Sequence, residues 1–198
     1  MDFSTKIGNN LPMYEWNDLA VGKVHLPAGV AQIAMRSNVP LVIADALEFD
    51  LPLILVNAAF CNMAGRDPDE MLGRNCRFLQ PPEGAGPPAE RIRDFLASPD
   101  AKEGNFVLPN VRKDGTRFLN MLFLAKLDRN GTTTHVVGSQ FDITAESVTN
   151  LKSYGATLQN DIGAMNIILR AHGWNALPTH DDLTETIAYV ETYRMVRG

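Results

Sequence analysis

No apolar run in this 198-residue sequence approaches the ~20 residues that cross a bilayer, which argues against a membrane span. The start, MDFSTKIGNN, has neither the basic cluster nor the apolar stretch of a signal peptide. Cysteine is scarce: Cys61 and Cys76 stand fifteen positions apart, with no CxxC pair and no histidine at ligand spacing. That removes the common zinc signatures, and no metal is expected. The spacing leaves a disulfide open, but two free thiols in a reducing cytoplasm are the expected state. Positive charge is not in excess, since 18 Lys and Arg face 23 Asp and Glu, a net of −5. A nucleic-acid surface works through clustered cations, so no such partner is expected. No G-x-G-x-x-G follows a strand pattern, so the turn of a dinucleotide enzyme is missing. His25, His135, His172 and His180 lie outside the cysteine-bearing segments, whereas a Cys–His enzyme needs its base beside the thiol.

What is present is a globular composition, 45% hydrophobic and 21% charged, with enough apolar residues for a full core. The length suits one domain with extensions, or at most two small domains. Residues 1–37 read as an N-terminal helical cap, 38–144 as the core and 145–198 as a C-terminal extension of two helices. Residues 26–38 form a short amphipathic helix pattern, with Pro27 near its start and Val30, Ile33 and Ala34 on one side. Strands are expected at 40–46 and 51–57, then a short helix over 58–65 stopped by Gly65. Asp67-Pro68-Asp69-Glu70 offers an N-cap, a proline at the first helical position and a carboxylate at the third. The proline-rich PPEGAGPP, residues 81–88, reads as a loop, and a helix is expected over 89–98. Three strands follow, at 104–112, 116–127 and 133–143, punctuated by Asp114-Gly115 and Asn130-Gly131, dipeptides that tight hairpins prefer. This order makes an α+β fold with an antiparallel sheet.

Period two divides those last strands. Phe106, Leu108, Asn110, Phe118, Asn120, Leu122, Leu124, Val136, Gly138 and Gln140 share an even-numbered face. It is apolar except for three carboxamides. A buried amide left unpaired costs on the order of 1–3 kcal/mol. Three on one face point to a ligand with a row of donors and acceptors; the competing reading is that they bond backbone or one another. The odd-numbered face is also apolar, with Val107, Leu119, Met121, Phe123, Val137 and Phe141. An antiparallel sheet with one wet face should be polar there, so terminal helices or a second subunit must cover it.

Residues 145–171 read as a long helix. Val148, Leu151, Leu158, Ile162, Met165 and Leu169 recur at three- and four-residue steps, with Gly155 in the remaining seam position. The stripe suits a coiled coil or a helix lying on its own sheet equally well. Gly173 and Pro178 end it, and residues 181–196 suggest a final helix with acidic residues in its first turn. Residues 149–198 carry four cations, Lys152, Arg170, Arg194 and Arg197, against five carboxylates, Asp161, Asp181, Asp182, Glu185 and Glu191. That balance is not that of a DNA-binding module, and His172 reads as a helix-end histidine.

One stretch, GRNCRFLQ at residues 73–80, places Cys76 between an amide and a guanidinium. Taken alone, the thiol could be a small buried hydrophobe, a nucleophile, or a thiol beside a bound cofactor. Together with the three carboxamides, the stretch resembles the LOV (light, oxygen, voltage) subclass of PAS domains over residues 38–144. The resemblance implies a PAS/LOV fold, a five-stranded antiparallel sheet with short helices enclosing FMN. It assigns Cys76 to the thiol beneath the flavin, Asn75 and Gln80 to flavin-contacting amides, and Asn110 and Asn120 to the polar edge of the ring. Gln140 is assigned to flavin N5, Leu122 and Leu124 to the apolar wall, and Arg77 and Arg93 to the phosphate, a dianion that guanidinium forks suit. Pro81 departs from the family's usual glycine and Leu122 from its frequent phenylalanine. Asp142-Ile143-Thr144 resembles the motif that closes many PAS domains before a signalling helix.

By the same resemblance, blue light drives Cys76 onto flavin carbon C4a reversibly, and Gln140 answers the change at N5 by turning its amide, passing the signal to the terminal helices. A sensor, not an enzyme, is thus expected: a cytoplasmic homodimer through the terminal helices and outer sheet face, with an unidentified protein partner downstream. The alternatives are a flavin-dependent oxidoreductase and a PAS sensor of another small ligand.

Overall fold

Alternating side chains and tight-turn dipeptides give one antiparallel sheet in a computed structural model that describes residues 25–144 and 148–178. Its strands are β1 (Leu41–Asp45), β2 (Leu53–Val56), β3 (Glu103–Val111), β4 (Arg117–Arg129) and β5 (Thr132–Asp142), ordered β2-β1-β5-β4-β3. The helices are α1 (Ala28–Arg36), α2 (Ala58–Ala64), α3 (Pro87–Ala97) and α4 (Val148–Ala171), with 3-10 turns at Pro68–Glu70 and Cys76–Leu79. The expected five-stranded α+β architecture is borne out. The expected helix at 181–196 lies outside the described residues. Among those described, no helix is long and apolar enough to cross a membrane.

The two hairpin signals act differently. Asn130 and Gly131, with φ of 52° and 78°, make a two-residue turn between the paired Arg129 and Thr132, the left-handed pair that matches strand twist. At Asp114-Gly115 the loop is longer: Arg112 N donates to Thr116 O at 2.9 Å and Gly115 N to Arg112 O at 3.0 Å. Only Gly115 takes positive φ there, 87°, as in a three-residue hairpin. α3 begins at Pro87, earlier than the loop expected through Pro88, because a first-turn proline lacks only an N–H that would have no helical partner.

The even-numbered face expected from parity is confirmed by register, with Phe106 paired to Leu122, Leu108 to Asn120 and Leu122 to Gln140. On the opposite face, Met121, Phe123, Val137 and Phe141 pack in one buried cluster with Val30 and Ala34 of α1 and with Leu151, Leu158, Ile162, Met165 and Leu169 of α4. The helical stripe therefore lies on its own sheet. Of the two covers expected for the outer sheet face, terminal helices or a second subunit, the chain's own α1 and α4 supply one among the described residues. α1 and α4 are tied by Ser37 Oγ donating to Asp161 Oδ2 at 2.6 Å. After α4, Asn166 brackets Leu177, donating to its carbonyl at 2.9 Å and accepting from its N–H at 2.7 Å. Trp174 then rests against His135, ring centroids 5.5 Å apart.

Candidate functional site

A cavity of about 510 Å³ lies between the inner sheet face and the long β2–β3 connection, within the usual range for a small-molecule site. All ten candidate residues, Asn75, Cys76, Arg77, Gln80, Arg93, Asn110, Asn120, Leu122, Leu124 and Gln140, line it. They come from three separate pieces of chain.

The first piece is the 3-10 turn Cys76–Leu79, a helical turn that the strand and helix patterning did not indicate. Asn75 makes it: its Oδ1 accepts from Arg77 N at 2.9 Å, while its Nδ2 donates to Asp50 O at 2.6 Å. A side-chain oxygen at the N-cap satisfies an orphan N–H, so this amide builds the loop as well as lining the cavity. One N–H and one lone pair remain for a ligand. Cys76 heads the turn and is partly exposed, toward the cavity. The dense packing around it nevertheless pushes its thiol up to about 12, by burial alone. Cys61, inside α2 and away from the cavity, is pushed up to about 11, by burial first and the Asp67 charge second. Cys76 therefore stays a neutral thiol near pH 7. A nucleophilic enzyme uses the thiolate, so the resting site lacks that activation.

The second piece is α3. Its last carbonyls lack helical partners and are held by a buried cation from β4: Lys126 Nζ donates to Phe95 O, Leu96 O and Ser98 O at 2.8, 3.1 and 2.5 Å. This fixes Arg93 at the cavity mouth, where its guanidinium lies 3.9 Å from Glu90. Arg77 is more firmly engaged, donating through Nη1 to both Asp50 oxygens at 2.6 Å. Patterning gave no sign of Asp50, 27 positions upstream.

The third piece is the sheet. Asn120 Nδ2 donates to Asn110 Oδ1 at 2.8 Å, and Asn110 Nδ2 to Pro109 O at 2.8 Å. Asn120 Oδ1 and both amide atoms of Gln140 are buried without a protein partner. The reading that these amides simply bond backbone or one another thus accounts for part of Asn110 and Asn120 and for none of the Gln140 amide. Gly138 keeps room beside it: a Cβ there would lie 3.0 Å from Val42 and 3.4 Å from Gln140 Nε2. Gln140 also stands in the wall of a second cavity of about 420 Å³ between the end of β5 and the first turns of α4. On the other face of β5, the Ser139 and Tyr154 hydroxyls share a hydrogen bond of 2.7 Å. Asp142 closes the strand, paired with Arg112, which also donates to Met63 O. Among the described residues no cluster of His, Cys, Asp and Glu could hold a metal ion.

Chemically, the cavity offers an apolar slot, three carboxamides on one wall, a protonated thiol on another and two guanidiniums at its mouth. A flat heterocycle with a polar edge and an anionic tail would complement each of these. A PAS domain model matches residues 39–145. Among curated proteins, a blue-light-activated histidine kinase of Rhizobium johnstonii is 36% identical over 55% of this chain and 31% of its own length. A blue-light photoreceptor of Listeria monocytogenes is 31% identical over 79% of this chain and 63% of its own. The chain thus spans from about a third to under two thirds of these relatives. A solved LOV protein of Rhodobacter sphaeroides is 27% identical and superposes with a TM-score of 0.64, over 70% of this chain and 80% of that one.

Proposed function

The chain belongs to the PAS domain family, in its LOV branch, and from that premise we propose that it is a blue-light receptor that binds FMN and switches through Cys76. The observation that carries the reading is the set of partnerless buried amide atoms, Asn120 Oδ1 and Gln140 Nε2 and Oε1, on a cavity that also holds a thiol. A buried polar group without a partner is costly, and the pyrimidine edge and N5 of a flavin would complete these. Arg77 and Arg93 would hold the phosphate, Asn110 and Asn120 the polar edge, and Leu122 and Leu124 the apolar face, with Asn75 and Gln80 as further amide contacts.

When bound, the flavin supplies a light-absorbing ring whose carbon C4a accepts a thiol and whose N5 can change from hydrogen-bond acceptor to donor. Because burial keeps it protonated, Cys76 would offer that ring a sulfur and a proton from one side chain, and would take both back in the dark. Gln140, whose amide atoms have no protein partner, would answer a change at N5 by turning its amide to present oxygen instead of nitrogen, an exchange that needs no change of charge. β5 carries that change toward residue 144 and α4. The terminal helices offer the surface for a homodimer or a downstream protein.

Absorption of the purified full chain tests the reading. Yellow protein that bleaches in blue light and recovers in the dark is the expected result, with FMN as the main flavin by mass spectrometry. Turnover of NAD(P)H without reversible bleaching would favour an oxidoreductase. Colourless protein that takes up no added flavin would favour another ligand.

A further inference from the structure

We infer that Asp50 sets how strongly this chain prefers a phosphorylated flavin, by holding a carboxylate against one of the two arginines at the cavity mouth. The inference rests on the flavin reading above and adds a specificity residue to it. Arg77 and Asp50 meet at 2.6 Å with side chains 56% and 41% exposed, so the pair stands at the rim, where the anionic tail of a ligand would arrive.

The carboxylate is placed there by the backbone. Asp50 and Leu51 have φ of 70° and 48°, a region that residues with a Cβ mostly avoid. The Asp50 carbonyl is held by Asn75 Nδ2, and the same amide caps the turn bearing Cys76 and Arg77. One side chain thus locks the β1–β2 turn to the thiol-bearing turn, and Leu51 lines the cavity between them.

The electrostatic consequence follows from sign. A phosphate dianion at Arg77 meets a guanidinium already shared with a carboxylate and is repelled by that carboxylate's own charge. Arg93 meets Glu90 only at 3.9 Å, so it is the less committed of the two arginines. Riboflavin, whose tail is uncharged, feels neither effect. Asp50 therefore narrows the margin by which FMN is preferred over riboflavin, and Arg93 carries more of the phosphate than Arg77.

The test is a competition. The full chain is equilibrated with equimolar FMN and riboflavin, and the bound flavins are released and measured by mass spectrometry. Asp50→Asn removes the charge with a residue that tolerates positive φ; Asp50→Gly removes it with one that prefers the turn. Both should raise the bound FMN-to-riboflavin ratio roughly fivefold, the order expected for an exposed charge pair, and the gain should shrink at high salt. An unchanged ratio in both variants overturns the inference while leaving the flavin reading intact. A fall in the ratio also overturns it, because Asp50 would then be pre-positioning Arg77. Equal loss of both flavins would make Asp50 a turn residue only. A wild-type chain that binds neither flavin overturns the flavin reading itself, and this inference with it.

Discussion

Gln140→Leu tests the cavity's polar wall, because its effects on the empty and the filled protein have opposite signs. Gln140 is 0% exposed and neither amide atom has a partner in the protein. Leu is similar in length, and the nearby Val42, Leu124 and Gly138 are apolar or bare. Removing each unpaired buried polar atom relieves about 1–3 kcal/mol, and imperfect packing of the new methyl groups offsets the relief from one of the two. A net gain of about 1–3 kcal/mol is expected in the flavin-free chain. At this chain length each kcal/mol shifts the midpoint by roughly 2–4 °C, so the flavin-free melting temperature should rise by about 2–12 °C. With FMN bound the variant lacks the N5 hydrogen bond, worth about 1 kcal/mol, so the filled protein loses stability while the empty one gains it. The two together lower affinity by about 2–4 kcal/mol, roughly 30- to 900-fold. The flavin-induced rise in melting temperature should shrink accordingly. Melts followed by circular dichroism, with and without FMN, give all four numbers. A flavin-free variant that melts below the wild type would show that Gln140 is already satisfied when the cavity is empty, and the central argument for the ligand would fail. In blue light the same variant should still bond through Cys76 while losing most of the change in helix protection. Retention of the full response would move the relay elsewhere.

Cys76→Ala should keep the pigment and lose reversible bleaching, while Cys61→Ala, away from the cavity, should bleach as the wild type does; absorption before and after a light pulse separates them. Burial raises both thiols above their ordinary value of 9.0, to about 11 for Cys61 and about 12 for Cys76, so the folded chain retains protons that the unfolded chain releases. Their contribution to stability is therefore complete below about pH 9 and is lost as pH rises toward 11–12; urea midpoints should fall over that window, and less steeply in a Cys61→Ala, Cys76→Ala double variant. Tyr154→Phe keeps the ring, whose centroid lies 5.1 Å from that of Phe141, and removes the hydroxyl bonded to Ser139. The Ser139 hydroxyl still has Pro40 O at 3.3 Å, so a loss of about 1 kcal/mol is expected, read as a drop of a few degrees in melting temperature; no drop would mean that this bond contributes nothing to holding β5 on α4.

The sheet was legible because its signals are local. Alternation along β3, β4 and β5 needs no knowledge of partners, and Asn130-Gly131 fixes one register outright. The same parity brought Asn110, Asn120 and Gln140 onto one wall. Three features were not legible, each for its own reason. The 3–4 spacing of Leu151, Leu158, Ile162, Met165 and Leu169 suits a coiled-coil seam and a sheet-docked helix equally; only the apolar outer face of the sheet decides between them. The turn at Cys76–Leu79 is too short to show a helical period and depends on one cap, Asn75. Asp50 was hidden because its position follows from positive φ at two residues that are not glycine, a conformation sequence seldom announces. Gly138 was placed on the inner face by parity, but its spacing role beside Gln140 emerges only when a Cβ is set against Val42.

Alternation along β5 also bounds what light can do. Gln140 faces the cavity, while Ser139 and Phe141 meet Tyr154 of α4 on the other side. A change in the Gln140 bond is felt by the backbone between them, which Gln140 N ties to Pro40 O at 3.0 Å. The coupling available from one exchanged hydrogen bond is about 1–3 kcal/mol. Docking of α4 draws on Leu151, Leu158, Ile162, Met165 and Leu169, all nearly inaccessible, each contributing on the order of 1.5–3 kcal/mol by burial. The second sum exceeds the first several-fold. Light should therefore loosen the first turns of α4, where Tyr154 and the 420 Å³ cavity lie, and leave the Ile162–Leu169 end seated. Hydrogen exchange resolved along α4, dark against lit, reads this directly: increased exchange confined to roughly residues 150–157 agrees, whereas uniform deprotection through Leu169 would require more energy than the Gln140 exchange supplies.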